Sequence, residues 1–212
     1  MVVALQANYL EVELDVAPDG CPGRLLCTRR TRLSHRGEAV YVGDRVRVEA
    51  IDPGQGRAVV AEVEPRHSFL TRPPVANVSL VAVVLAVEQP SFDPDQASRF
   101  LLTAERTGLE VILLLTKTDL LSAAALERLV TRLKGWGYDP LALSSAAGTG
   151  IDALRQRLAG AQLSVLCGPS GVGKSSLLNQ LRPDLQLRTA AVSGRLQRCL
   201  LYTSPSPRDR IA

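Results

Sequence analysis

The sequence predicts two folds in series: an all-β, OB-like barrel over residues 1–70, then an α/β domain with a parallel sheet over residues 80–198. Three observations carry this. Short alternating apolar/polar runs, punctuated by turn residues, fill the first part. After residues 71–79, continuous apolar runs alternate with amphipathic helical stretches. The segment GPSGVGKS, residues 168–175, lies between one such run and one such helix, the context of a P-loop.

In the first part, residues 2–5, 9–14, 24–30, 45–50 and 58–63 read as strands. Gly20-Cys21-Pro22-Gly23, Gly43-Asp44 and Asp52-Pro53-Gly54-Gln55-Gly56 supply the turns. Five short strands in this length suggest a small barrel, and such barrels often hold single-stranded nucleic acid on one face. Arg24, Arg29, Arg30, Arg32 and Arg36 cluster with no acid between Asp19 and Glu38. A stripe of this kind can follow a phosphate backbone; a solvated strand face is the plainer alternative. Tyr9, Tyr41 and Phe69 are too few to predict stacking on bases. His35 and His67 are isolated and have no metal-ligand spacing.

Thr71-Arg72-Pro73-Pro74 breaks the alternation, so residues 71–79 read as a linker leading into the second domain. Residues 80–87 (LVAVVLAV) and 111–115 (VILLL) then read as strands covered on both faces. Residues 95–106, 122–133 and 151–158 read as helices, the second with Ser122 as N-cap. Short strands at 140–144 and 163–167 complete the alternation, which implies right-handed crossovers.

The P-loop chemistry follows from its residues. Gly168, Gly171 and Gly173, with Pro169, Ser170 and Val172 between them, let the backbone curl its N–H groups around an anion. The following helix, residues 174–181, adds its dipole. Lys174 reaches the β- and γ-phosphates, the Ser175 hydroxyl holds Mg²⁺, and Ser176 extends the loop.

Directly after VILLL come Thr116-Lys117-Thr118-Asp119, of the N/T-K-x-D type, at the carboxyl end of a strand where ligands dock. Guanine presents adjacent N1–H and 2-amino donors, and the Asp119 carboxylate can accept both. Adenine offers neither, leaving the acid desolvated and unpaired, a basis for discrimination on the order of 10⁴. The Lys117 stem lies along the base plane. Ser144-Ser145-Ala146, after the next strand, can brace the base from its other side, with a backbone N–H aimed at the guanine O6.

Composition is that of an ordinary globular protein, 46% apolar and 22% charged over 212 residues, with a mildly basic net charge of +4 that permits an RNA partner. No segment has transmembrane length, and the sequence opens without a signal-peptide pattern, so a cytoplasmic location is expected. Four cysteines without a C-x-x-C pair agree with reduced thiols.

Base-reading elements here precede the P-loop, the reverse of ordinary GTPases. Together with the barrel, RPPVANV (residues 72–78), TKTD and GPSGVGKSS, this order resembles the ribosome small subunit-dependent GTPase A family over nearly the whole chain. The resemblance implies an OB barrel and a circularly permuted P-loop GTPase domain, here incomplete, with a C-terminal zinc domain whose ligands this chain does not carry. It implies GTP/GDP with Mg²⁺, a monomer, and late maturation of the small (30S) ribosomal subunit through its 16S rRNA, with the ribosome stimulating hydrolysis. Asparagine is commoner in the family at Thr116, and threonine is expected to lose an amide contact and weaken base binding.

A switch threonine and a D-x-x-G loop are not found in residues 176–212, and residues 199–212 resemble a translated adapter rather than the family. Negligible GTP hydrolysis by this chain, and an uncovered sheet edge beside the P-loop strand, are therefore expected. Two alternatives stand beside this reading: a guanylate-kinase-like enzyme, whose P-loop is similar, and a non-catalytic RNA-binding module.

Overall fold

A computed structural model describes residues 1–6, 8–18, 20–30, 39–71 and 73–182, and the backbone of residues 201–203. The chain divides into two compact units, Met1–Val78 and Ser79–Ala212.

The first unit is built on β1 (Val2–Leu5), β2 (Leu10–Glu13), β3 (Arg24–Arg29), β4 (Val46–Asp52) and β5 (Arg57–Val63). They form one sheet in the order β1-β2-β3-β5-β4, antiparallel except for the parallel β3–β5 pair. Alternation sends Val2, Leu10, Val12, Leu25, Cys27, Ala58 and Val60 into one core. The segment before β4 returns to β1: Val2 N–H donates to the Asp44 carbonyl and Gly43 N–H to the Val2 carbonyl, each at 2.8 Å.

The stretch expected as a linker is structured. β6 (Phe69–Thr71) and β7 (Pro74–Ala76) form an antiparallel hairpin belonging to the first unit. Proline is tolerated because Pro74 opens an edge strand. Asn77 fixes the hairpin: its Nδ2 donates to the Gly43 carbonyl at 3.0 Å, and its Oδ1 accepts from His67 N–H at 2.8 Å.

In the second unit, β8 (Leu80–Ala86) is central, and all seven of its residues are buried. It pairs in parallel with β9 (Glu110–Thr116) on one side and with β11 (Ser164–Cys167) on the other. β10 (Leu141–Ala142) extends the sheet beyond β9; it is shorter than the predicted strand because Ser144 leaves to bridge Thr149. Helices α1 (Pro94–Glu105), α2 (Ala123–Gly135), α3 (Ile151–Ala159) and α4 (Lys174–Leu181) alternate with the strands. The Asp93 carboxylate caps α1, accepting from Asp95 and Gln96 N–H, and Ser122 caps α2 as predicted. Each such cap stabilises its helix by about 1 kcal/mol.

The edge beside the P-loop strand is covered, contrary to expectation. β12 (Leu201–Thr203), from the stretch expected to be foreign, pairs antiparallel with β11. An open edge offers a row of unpaired N–H and C=O groups, and an extended segment of any origin can satisfy them.

Tyr138, after α2, donates its hydroxyl to the Glu105 carboxylate at the end of α1. Burial first, then this bond and the Glu105 charge, push the phenol up to about 12. Its folded pKa lies above the unfolded value, so the bond contributes fully below pH ~10 and is lost as pH rises towards 12. Absorbance titration near 295 nm is expected to show one late-ionising tyrosine that disappears in Tyr138→Phe.

Candidate nucleotide-binding site

Three loops leave the carboxyl ends of the parallel strands β10, β9 and β11, with β8 lying between the last two, and they carry the predicted residues. The P-loop follows β11. Gly168 has φ +153°, and a Cβ there would stand 2.1 Å from the Val84 carbonyl oxygen of β8, so only glycine fits. Gly171 and Gly173 also have positive φ, at 80° and 91°, and Gly173 is the N-cap of α4. The first-turn N–H groups of α4 have no intrahelical acceptors, which suits them to an anion. Lys174 is 4% exposed, and its ammonium donates to the carbonyls of Gly168 and Pro169. Ser175 and Ser176 are half-buried in the first turn. Burial raises the Cys167 thiol to about 11, against the opposing pull of Lys174, so it stays protonated at neutral pH.

The loop after β9 meets the P-loop through Thr116. This side chain is 2% exposed, and its Oγ1 lies 2.5 Å from the Val172 carbonyl and 3.2 Å from the Leu85 carbonyl. One hydroxyl proton serves the nearer acceptor. Threonine lacks the amide of the commoner asparagine, and its hydroxyl makes this contact with the P-loop backbone.

Lys117 adopts φ 59° and ψ 35°, and its ammonium donates to the Gln89 carbonyl in the loop after β8. Its Cε lies 3.9 Å from where a Cβ on Gly173 would be, so the stem passes close to the P-loop. Burial draws the ammonium below its usual range, and Asp119 opposes this. Thr118 points elsewhere: its hydroxyl donates to the Leu143 carbonyl at 3.1 Å.

Asp119 is exposed, and the buried Ser144 hydroxyl donates to its Oδ1. Ser144 Oγ in turn accepts from Ala147 N–H at 3.0 Å. Ser144 thus orients the acid, and the turn containing Ser145 and Ala146 stands beside it. Gln180 of α4 holds that turn by donating to the Ser145 carbonyl at 3.1 Å. Nothing in the sequence pointed to Gln180 or Gln89; for Thr116 the available signal was a hydroxyl at the end of a wholly apolar strand, which needs a partner once buried.

The predicted arginines fare differently. Arg24 pairs at 3.3 Å with Glu13 of the neighbouring strand β2, and Arg30, just after β3, pairs at 2.9 Å with Glu49 of β4, beyond β5; Arg29 is exposed. Arg32 and Arg36, like residues 183–200 and 204–212 of the segment searched for switch residues, lie outside the described residues. Among the described residues no group of three His, Cys, Asp or Glu could hold a metal ion, and no helix is long and apolar enough to cross a membrane. A cavity of about 350 Å³ beside Val111, Leu113, Tyr138 and Arg157 shares no residue with the P-loop or with Thr116–Asp119.

A P-loop strand placed after the base-reading strand in sequence, yet in one parallel sheet with it, defines the class: a P-loop nucleotide-binding fold in circularly permuted order. The RsgA GTPase family model matches residues 63–200, and the chain belongs to that family. It is 98% identical over 198 residues to a protein of Synechococcus sp. (strain CC9605) named small ribosomal subunit biogenesis GTPase RsgA, covering 93% of this chain and 65% of that relative. The same-named protein of Synechococcus sp. (strain CC9311) is 74% identical over the same span. The chain thus covers just under two thirds of the length of these relatives. Among solved structures, YjeQ from Thermotoga maritima aligns with TM-score 0.75 and 34% identity over 90% of this chain and 66% of that one. YloQ, described as a circularly permuted GTPase, aligns with TM-score 0.68 and 27% identity over 86% of this chain and 63% of that one. Family membership displaces the guanylate-kinase alternative.

Gly168→Ala tests the loop geometry. Its Cβ would collide with β8 backbone, so urea unfolding is expected to show a loss of at least about 2 kcal/mol in the second unit.

Proposed function

We propose that this chain binds guanine nucleotide between the P-loop and the Thr116–Asp119 segment. In the whole protein this site would hydrolyse GTP during maturation of the small ribosomal subunit. One observation carries the reading: the Thr116–Val172 hydrogen bond, which holds an acid suited to guanine and a cradle suited to phosphate in one site. Asp119, held by Ser144, would accept from the N1–H and 2-amino groups. Ser145 and Ala146 would line the base from its other side. Residues 168–176 would wrap the phosphates, and Lys174 would exchange its two carbonyl partners for phosphate oxygens.

The residues also fit Mg²⁺, because Ser175 opens the helix after the cradle and offers a hydroxyl beside the phosphate position. Bound there, the ion would neutralise charge developing on the phosphoryl oxygens.

The first unit is read as an OB-type barrel that contacts 16S rRNA. Its strand order, β1-β2-β3-β5-β4 with a parallel β3–β5 pair, supports the barrel reading. The arginines support the RNA reading less than their clustering suggested, since Arg24 and Arg30 face carboxylates. Exposed pairs of this kind contribute about 0–1 kcal/mol and can yield to phosphate.

Calorimetry with GDP and ADP tests the nucleotide reading. GDP is expected to bind more tightly by on the order of 10⁴. Asp119→Asn should abolish that preference and accept xanthosine diphosphate, whose C2 oxygen takes a hydrogen bond from the new amide. Equal affinity for GDP and ADP would sink the reading.

A further inference from the structure

The sequence offered no stacking platform, but the fold assembles one. Tyr41, before β4, and Phe69, on β6, stand with ring centroids 4.9 Å apart and planes tilted by 53°. The Arg66 guanidinium lies against both, its central carbon 4.9 Å from the Tyr41 centroid and 5.1 Å from that of Phe69.

This arrangement is rigid. Arg66 Nε donates to Asp44 Oδ1 at 2.7 Å, and Nη2 donates to Asp44 Oδ2 at 2.9 Å and to the Ala39 carbonyl at 2.7 Å. Asp44 is fully buried and also accepts from Tyr41 N–H at 2.8 Å. The Asn77 bonds fix the hairpin that carries Phe69. Yet Phe69 remains 39% exposed, so part of a held aromatic surface faces solvent.

We infer that the Phe69–Arg66–Tyr41 cluster is a stacking seat for one unpaired base of a single-stranded RNA. The inference rests on the RNA reading of the first unit and adds a site to it. Its chemistry follows from the pairing. Asp44 already neutralises Arg66, so the cluster is poorly suited to capture phosphate. What it offers is planar π surface at little ordering cost, and unstacked bases are bound in this way on aromatic rings and arginine planes. Because every base has a π face, the seat would tolerate any sequence.

The test is anisotropy of a labelled oligouridine of about ten nucleotides, titrated with the whole chain at several salt concentrations. Phe69→Ala is expected to weaken binding about tenfold, the effect of losing one stacked base. The slope of log affinity against log salt should stay unchanged, because no phosphate contact is removed. Phe69→Leu keeps apolar bulk without the ring and should lose as much, while Phe69→Trp should retain binding. Thermal unfolding of each variant confirms that the first unit is intact. Wild-type affinity in Phe69→Ala would overturn the seat and leave the RNA reading standing. Wild-type affinity in Phe69→Leu would also overturn it, pointing to an apolar docking surface. No RNA binding by the unsubstituted chain would remove the RNA reading and the seat together.

Discussion

The second unit depends on a hydroxyl at the end of a strand. Thr116 is buried where β9 stops, and its proton goes to the Val172 carbonyl of a loop 56 residues further along the chain. A buried acceptor left unpaired costs about 1–3 kcal/mol, so the loop conformation and the strand end are energetically tied. Through that tie the Thr116–Asp119 segment and the P-loop hold a common geometry. Preorganisation of this kind lets a ligand's two ends bind without each fixing its own half of the site.

Chain order matters little to such a site, because strand adjacency defines it. β8, buried along its whole length, pairs with β9 on one side and β11 on the other, so both loops emerge at one edge of the sheet. A connection cut in one place and joined in another leaves those pairings intact. The Gly168 backbone, too close to Val84 to admit a side chain, shows how tightly the P-loop sits on the central strand. Permutation therefore preserves the chemistry while reversing the order in which the motifs are read.

Much of this was legible in the sequence because it is local. The P-loop declares itself by spacing, the strands by alternation or continuous apolarity, and Ser122 by its place before a helix. Asp119 was legible because it completes an N/T-K-x-D pattern directly after a buried strand in a chain that also carries a P-loop. What escaped was long-range pairing. The arginine cluster looked unopposed along the chain, yet Glu13 and Glu49, distant in sequence and on other strands of the same sheet, reach Arg24 and Arg30. The proline-rich stretch looked like a linker, but its backbone is tied down by Asn77 and pairs as a hairpin. Tyr41 and Phe69 are far apart in sequence and meet because Asp44 and Arg66 bring their segments together.

The most direct test of the account is Thr116→Val, which keeps the shape of the side chain and removes its proton. Urea unfolding together with calorimetric titration by GDP would read stability and ligand affinity in the same variant. The account predicts a loss of about 1–3 kcal/mol in the second unit and weakened GDP binding, with Thr116→Ser restoring both. Wild-type stability and affinity in Thr116→Val would show that the two halves of the site are held together by something else.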